Sequence, residues 1–450
     1  MGRVAANVSR KDVLRFISES ASYGNLGLFI GAGFTKAVLN DAEEVALSWG
    51  DLLEEASSKL KVDYTQIPKE GVNFPEVASR ICETYATENL SSFSVALSKL
   101  KGAIASLTCW YPDAKKRQRF GGYLSKLDPD WIITTNYDLV IEALQTGHSI
   151  PIGPKDQLTR PRGIVPVYHL HGLRTNPEGI IIAQEDYVAL FRPNEYRQIK
   201  LALMMKESTA LLLGYGLGDV NVLTALDWSK NVFSEGALDY PQDVIQVLRK
   251  ENPFEKPYRD RNGLLIIETN ELTDFFEEFG IVREEALEQE KKQQEELAKL
   301  TEEMINPQQE NIDKFIDDQS FRQSNLSILS QFPVHLIAGF ISFLDKCIDE
   351  TWRRSKPYGA FEAYNQNLIM IIDILTAFEP NNIPPALFQT AAYSLDRVAI
   401  FIGRMSGQSF AAATTWEQRK AELSQEIVTD LRDISHALGY SNLQQLLITI

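Results

Sequence analysis

The chain has few cysteines, no long apolar run and no excess of positive charge. Cys82, Cys109 and Cys347 are far apart and odd in number, which favours a reducing compartment with buried thiols over a disulfide framework or a zinc site. The longest apolar runs fall far short of the roughly 18 residues that a transmembrane helix needs. The first residues also lack the apolar core of a secretory signal. We therefore expect a soluble, cytoplasmic protein that does not associate with membranes.

The charge balance is acidic. The sequence holds 61 Asp and Glu against 45 Lys and Arg, which gives a net charge of -16. Such a chain lacks the broad positive surface that nucleic-acid-binding proteins use, so direct nucleic-acid binding is not expected. With 450 residues, 44% of them hydrophobic, it can bury more than one core, and two domains are the expectation.

Short apolar runs alternate with helical patterns through the first 280 or so residues. Strand candidates lie at 26–30, 131–134, 164–170, 180–183, 210–215, 244–248 and 264–268, with helices at 195–206 and 221–232 among those between them. Ser9 and Ser48, each followed three residues later by Asp, resemble helix-capping boxes. This alternation predicts an α/β domain, with a mostly parallel sheet covered by helices on both faces.

The character of the sequence changes after residue 282. Residues 283–306 are rich in Glu, Gln and Lys and lack apolar heptads, which predicts a charged helical linker and not a coiled coil. Beyond Asn311, apolar residues recur only at helical spacing, which predicts a helical bundle. The predicted organisation is therefore an α/β catalytic domain at 1–282, a linker at 283–306 and an all-α domain at 307–450.

Three polar loops each follow an apolar strand. They cover residues 31–35, 134–138 and 169–172 and carry the sequences GAGFT, TTNYD and HLHG. In an open parallel sheet, the loops at the carboxyl ends of the strands form the ligand site. The three loops therefore predict a nucleotide site with an acid–base group beside it.

The first loop has the composition of a phosphate-binding turn. Gly31, Ala32 and Gly33 let the backbone approach a pyrophosphate, the following helix start offers N–H groups, and Thr35 adds a hydroxyl. An ordinary turn is an equal alternative, because Lys36 replaces the third glycine of the usual dinucleotide fingerprint.

The other two loops supply polar and titratable side chains. Asn136 can orient a ribose hydroxyl or a water molecule through its amide. Asp138 can bind ribose, although a helix cap is the favoured interpretation. His171 can accept a proton near neutral pH, and His169, on the same side of the strand, is its rival for that role.

Together, these loops resemble the sirtuin fold, and they look most like the sirtuin-like NADase domains of bacterial antiphage systems such as Thoeris. Two more segments fit the resemblance. Residues 184–187 (QEDY) resemble the acidic segment after the His strand, and residues 214–221 (GYGLGDVN) resemble the late cofactor loop. The resemblance spans roughly residues 10–280 as an ordered set of five short segments.

The resemblance implies cleavage of the nicotinamide–ribose bond of NAD+. It makes Asn136 the residue that positions the ribose and the attacking water, and His171 the catalytic histidine. The implied NAD+-binding residues are Gly31, Ala32, Gly33, Thr35, Asp138, Gly214, Tyr215, Asp219 and Asn221. Three isolated cysteines cannot form the paired C-x-x-C zinc ribbon of deacetylase sirtuins, so hydrolysis without zinc is favoured. Protein deacylation, ADP-ribosyl transfer and a non-catalytic NAD-binding scaffold are the alternatives.

The resemblance also implies regulation, because unchecked NAD+ hydrolysis would kill the host cell. We expect an abortive-infection enzyme that assembles into a homo-oligomer or responds to a protein activator, such as a phage component or a partner ATPase or translocase. Thoeris enzymes carry a nucleotide-sensing α/β domain after the catalytic domain. The helical C-terminal region departs from that pattern, so a protein trigger is favoured over a small molecule.

Overall fold

The computed structural model describes residues 8–40, 46–154, 156–157, 159, 162–190, 196–215, 242–330, 338–357 and 361–450. The chain divides into two compact units, Met1–Glu288 and Gln289–Ile450. The predicted helix at 221–232 and the site residues Asp219 and Asn221 lie outside the described residues.

The described part of the first unit is built on one eight-stranded sheet. The strands are β1 (Leu26–Ile30), β2 (Trp131–Thr134), β3 (Ser149–Ile152), β4 (Val165–His169), β5 (Thr209–Leu213), β6 (Val244–Arg249), β7 (Tyr258–Arg259) and β8 (Leu265–Thr269). Their spatial order is β3-β4-β2-β1-β5-β6-β8-β7, and every neighbouring pair is parallel except β7 and β8. The predicted mostly parallel sheet is confirmed.

Helices cover both faces of this sheet. They are α1 (Arg10–Tyr23), α2 (Ala32–Leu39), α3 (Trp49–Leu60), α4 (Phe74–Glu88), α5 (Phe93–Leu107), α6 (Ala114–Leu127), α7 (Val140–Leu144), α8 (Gln184–Leu190), α9 (Tyr196–Glu207) and α10 (Leu272–Ile305), with 3-10 turns at Tyr64–Gln66 and Pro177–Gly179. Leu28 and Ile30 of β1 join the core that includes α1, α2, α6 and α10, whereas Phe29 joins the core that includes α9. This alternation follows from the two-residue period of a strand.

The strand predictions fail at three places. Residues 180–183 form no strand: their apolar side chains are buried, and Ile181 donates its N–H to the carbonyl of His171. Strand β3 was not predicted because Pro151 and the exposed Ile150 obscure its pattern. Strand β7 has two residues, too few for an apolar pattern.

Strand β1 stands at the point where the strand order reverses. The chain passes from β1 to β2 on one side, and after β4 and two helices it returns to β5 on the other side of β1. Open α/β sheets bind ligands at the carboxyl ends of the strands beside such a reversal, so the ends of β1 and β5 are the expected ligand site.

The two capping boxes predicted at helix starts are also confirmed. Ser9 accepts a hydrogen bond from the N–H of Asp12, and the Asp12 side chain accepts one from the N–H of Ser9. Ser48 and Asp51 form the same reciprocal box at the start of α3. Each box satisfies N–H groups that the first turn of a helix leaves without partners.

The second unit is all-α in its described residues, as predicted. After α10, its helices are α11 (Gln309–Asp317), α12 (Gln319–Leu329), α13 (Ala338–Arg354), α14 (Glu362–Ala377), α15 (Pro385–Ala399), α16 (Phe410–Arg419), α17 (Gln425–Leu438) and α18 (Ser441–Leu447), with 3-10 turns at Pro380–Asn382 and Lys420–Glu422. Much of α14 is buried, and the unit has one hydrophobic core. None of the described helices is both long and apolar enough to cross a membrane.

The three cysteines differ in environment. Cys82 and Cys347 are buried, and burial raises the pKa of both thiols, that of Cys82 to about 12. Cys109 is exposed just after α5, so the expectation that all three thiols are buried is wrong for this residue.

Candidate active site

A cavity of about 390 Å³ lies at the carboxyl ends of β1, β2, β4 and β5. Every predicted site residue that the structure describes lines it: Gly31, Ala32, Gly33, Thr35, Asn136, Asp138, His171, Gly214 and Tyr215. Its volume falls within the range of small-molecule sites. Four loops that are far apart in sequence thus meet at one site, as the parallel topology predicts.

The glycines of the first loop permit a close contact with the loop after β5. The N–H of Gly33 donates to the carbonyl of Gly214, at 2.9 Å. A Cβ atom on Gly31 would lie 2.5 Å from that same oxygen, and one on Gly214 would lie 2.0 Å from the backbone nitrogen of Phe34. Gly214 also has φ +57, in the left-handed region. Glycine is therefore required here by loop packing, and the Gly33 N–H is already engaged rather than free for a phosphate.

A chain of hydrogen bonds sets the orientation of the Asn136 amide. Thr35 Oγ1 donates to Asp138 Oδ2 at 3.2 Å, and Asn136 Nδ2 donates to Thr35 Oγ1 at 3.1 Å. Because an ionised carboxylate can only accept, the Thr35 hydroxyl must donate to it and accept from the Asn136 amide nitrogen. No described residue donates to Asn136 Oδ1, and Asn136 lines the cavity. This oxygen is left as an acceptor for a water or a ribose hydroxyl.

Asp138 caps a helix, as the sequence favoured, and it is also the last acceptor in this chain of hydrogen bonds. Its Oδ1 accepts the N–H of Val140 at the start of α7. Burial raises the pKa of the Asp138 carboxyl to about 6, against the lowering effects of the Val140 N–H, His169 and Thr35. Asp138 lines the cavity while making both protein contacts.

His169 lies behind the cavity and makes only protein contacts. Its Nδ1 is 2.9 Å from the carbonyl oxygen of Asn136, and its Nε2 is 2.8 Å from Glu142 Oε1. Burial alone would lower the pKa of His169, but the bonds to Glu142 and Asn136 raise it above its ordinary value. His169 does not line the cavity, whereas His171 does.

His171 is held at the start of the loop after β4. It is 2% exposed, and its carbonyl accepts the N–H of Ile181 at 2.8 Å. The hydroxyl of Tyr187 lies 3.4 Å from both ring nitrogens, and the two rings meet edge to face. Gly172 follows at φ +97, where a Cβ would lie 2.6 Å from the Gly179 carbonyl oxygen. The glycine of the HG pair therefore allows the chain to turn sharply after the histidine.

Residues 130–267 match the model of the SIR2-like domain. The match begins at β2, ends within β8, and includes Asn136, Asp138, His171 and Gly214. No curated protein matches the chain. The SIR2-like domain and the parallel sheet support a sirtuin-like domain with an NAD-related function.

The α/β unit also contains contacts that the sequence did not predict. Asp186 Oδ2 accepts the N–H groups of Ile182 and Ala183, and its Oδ1 pairs with Lys101 of α5 at 2.7 Å. These bonds fix the acidic segment at the start of α8 and hold Tyr187 in place. The motif drew attention to the segment, but nothing in the sequence pointed to Lys101.

The helices α3–α5 contribute a wall that the sequence interpretation also missed. Trp49 lies at the start of α3, with its ring centroid 6.4 Å from that of His171, and Phe74 packs against it. The sequence pattern places Trp49 only in the first turn of a capped helix, and no motif marks it as part of a site. The remaining lining residues from this part of the chain are Ala46, Leu47, Ser48, Leu52, Thr108 and Trp110.

A second cavity of about 600 Å³ lies beyond the contact between Gly33 and Gly214. It follows the same edge of the sheet, at the ends of β6 and β8, and Lys36, Arg249 and Glu271 are among its lining residues. In the described residues, no group of three or more His, Cys, Asp or Glu is arranged to hold a metal ion.

Proposed function

We propose that the chain is an NAD+ glycohydrolase of the sirtuin-like NADase type, which cleaves the nicotinamide–ribose bond. The observation that carries the proposal is the oriented amide of Asn136, whose free oxygen lies in the same cavity as His171. An amide oxygen can hold a water or ribose hydroxyl by accepting its hydrogen bond, and an imidazole in the same cavity can accept the proton.

The extent of the crevice is compatible with a dinucleotide. Two cavities lie on either side of the contact between Gly33 and Gly214. We assign the nicotinamide ribose to the cavity that holds Asn136 and His171. We assign the adenosine half to the second cavity, whose lining includes Lys36 and the ion pair of Arg249 with Glu271. The helix α2 begins between them, where its N-terminal end favours a negatively charged group.

We extend the proposal to regulation, since an unregulated NAD+ hydrolase would exhaust its host. In this proposal, the enzyme acts in the cytoplasm as part of an antiphage response. The helical unit gates it, by homo-oligomer assembly or by contact with a protein activator such as a partner ATPase or translocase. Activity that rises with protein concentration, in step with oligomer formation by light scattering, would favour assembly. Full activity of a monomer without a partner would contradict gating.

The test is incubation of the full chain with NAD+ while free nicotinamide, ADP-ribose and cyclic ADP-ribose are measured. We expect Asn136→Ala and His171→Ala each to lower the rate by about 100-fold or more, since a positioned acid–base group contributes factors of this order. His148→Ala is the matched control, because His148 is exposed and outside the cavity. Unchanged cleavage in both site variants, or turnover only with an acyl-peptide, would contradict the proposal.

A further inference from the structure

A buried pair lies directly behind the candidate active site. The side chains of His169 and Glu142 are 0% and 14% exposed, and they approach to 2.8 Å. Glu142 Oε2 is buried and has no hydrogen-bond partner among the described residues. His169 is therefore the hydrogen-bond partner of a carboxylate that is largely removed from water, and this pairing restricts the protonation of the imidazole ring.

Both ring nitrogens of His169 face acceptors. The carbonyl oxygen of Asn136 can only accept, so Nδ1 must carry a proton. An ionised Glu142 also only accepts, so Nε2 carries the second proton. The charged groups that face the ring are Glu142 of α7 and Asp138 of the loop after β2. With Glu142 ionised, the ring is an imidazolium held between a carboxylate and a backbone carbonyl.

We propose that His169, through its bond to the Asn136 carbonyl, is a positioning residue that fixes Asn136 from the side away from the cavity. The inference rests on the proposed function for its catalytic consequence. Asn136 is held at three points: its N–H donates to Thr134 Oγ1, its amide nitrogen donates to Thr35, and its carbonyl accepts from His169. The first two bonds fix the backbone N–H and the side-chain amide of Asn136, and the third fixes the peptide group that follows it.

Removal of the third contact should affect chemistry more than binding. A peptide plane released on one side lets the Asn136 amide move, and a displacement near 1 Å at a reacting centre can lower a rate by about 100-fold. The remaining lining of the cavity does not depend on His169, so the affinity for NAD+ should change little. A purely structural role would instead lower stability without separating kcat from KM.

Two substitutions separate the two contacts of the ring. The amide nitrogen of His169→Asn can take the place of Nδ1 and keep the bond to Asn136, while it loses Glu142. The longer His169→Gln can reach Glu142 in place of Nε2 and loses Asn136. We expect kcat for nicotinamide release to fall about 10- to 100-fold in His169→Gln, with KM changed less than about threefold, and to stay within about threefold of wild type in His169→Asn.

Equal kcat values in the two variants, when both fold, would overturn the inference. Their thermal melting temperatures show whether both are folded. If His169→Asn unfolds because Glu142 loses its partner, the double variant with Glu142→Gln removes the unpaired charge and repeats the comparison.

A second measurement does not depend on activity. Two-dimensional NMR of a chain with 15N-labelled histidine should show both ring nitrogens of His169 protonated between pH 6 and 8. The chain has five histidines, and loss of a signal in His169→Asn assigns it. A neutral ring without a proton on Nδ1 would contradict the inference even if the wild type cleaves NAD+. A wild type that leaves NAD+ intact would instead contradict the proposed function, while the NMR result still tests the contact.

Discussion

A similar hydrogen-bonded relay lies in each unit of the molecule. In the α/β unit, the amide nitrogen of Asn136 donates to Thr35, which donates to Asp138. In the helical unit, the amide nitrogen of Asn367 donates to Thr351 at 2.9 Å, and the Thr351 hydroxyl donates to a backbone carbonyl of its own helix. Both relays fix the direction of an asparagine amide inside the protein.

The two relays differ at the amide oxygen. Asn367 Oδ1 accepts the hydroxyl of Ser394 at 3.1 Å, and all three residues of that set are 1% exposed. Asn136 Oδ1 receives no hydrogen bond from the described residues and belongs to a side chain that lines a cavity. A buried polar group without a partner is destabilising. A relay in which every polar atom is bonded within the protein therefore contributes to the stability of the fold. A relay that ends at an oriented acceptor in a cavity is arranged for a ligand.

The largest expected effect comes from breaking a complete network in the helical unit. Arg322 Nε donates to Asp373 Oδ2 at 2.6 Å, and its Nη1 donates to the carbonyls of Phe315 and Ile316. Arg322→Met leaves the carbonyls of Phe315 and Ile316 without this donor and leaves Asp373 with Arg419 as its remaining partner, at 2.8 Å. Removal of one partner of a buried ion pair costs about 3–5 kcal/mol when the charge left behind is unpaired, so we expect the free energy of unfolding to fall by about 3–4 kcal/mol. Urea unfolding of the full chain, followed by circular dichroism, measures it.

Arg353→Met provides the control for that experiment. Arg353 is 67% exposed and pairs with Glu350 on its own helix, so its loss should change the free energy of unfolding by less than about 1 kcal/mol. Equal destabilisation by the two substitutions would show that the buried network does not carry the stability assigned to it.

Much of this architecture could be predicted from local patterns. The runs that became β1, β2, β4, β5, β6 and β8 are apolar and short, because a parallel strand is buried on both faces. The order of the strands places their polar ends together, so a site containing Asn136 and His171 followed from topology and motifs. The capping boxes at Ser9 and Ser48 were predictable from spacing, because they involve contacts over only three residues.

The contacts that orient the site could not be predicted in this way. Thr35 and Asp138 are 103 positions apart in the chain, and which atom donates to which depends on their packed positions. The glycines of the first loop fit a phosphate site and an ordinary turn equally well in the sequence, and their close contact with the backbone at Gly214 appears only in the folded structure. His169 and His171 lie on the same side of the strand in the sequence pattern, and the structure separates them because His171 lines the cavity whereas His169 contacts Glu142 of α7.

A smaller effect, of opposite sign, is expected for Asp138→Asn. The pKa of Asp138 is about 6 in the folded protein and near 3.8 when unperturbed, so the folded state binds more protons between these values. Stability is therefore lost as the pH rises from about 4 to 6, by up to about 3 kcal/mol. Asn at this position cannot ionise. Asp138→Asn should be more stable than wild type by up to about 3 kcal/mol at pH 8, and about equal at pH 4.

The same substitution should lower NAD+ cleavage, because an amide at position 138 can donate to Thr35 and reverse the relay. The Asn136 amide would then present its nitrogen in place of its oxygen to the cavity. Denaturation at the two pH values and nicotinamide release at pH 8 measure both effects. Lower stability than wild type at pH 8 would contradict the role of the buried carboxylate, and unchanged cleavage would contradict the relay.

The smallest stability effects are expected for Thr35 and Thr351, the threonines at the centre of the two relays. Their substitution also tests the comparison most directly. Thr35→Val and Thr351→Val each remove a buried hydroxyl with little change in shape and leave its partners unsatisfied. Each should lower the free energy of unfolding by about 1–3 kcal/mol. Only Thr35→Val should also reduce nicotinamide release, since the Asn367 amide is bonded within the protein at both its nitrogen and its oxygen. Thr35→Ser keeps the hydroxyl and should retain activity. If Thr351→Val reduced cleavage as much as Thr35→Val at equal stability, the distinction between a relay for the fold and a relay for a ligand would be wrong.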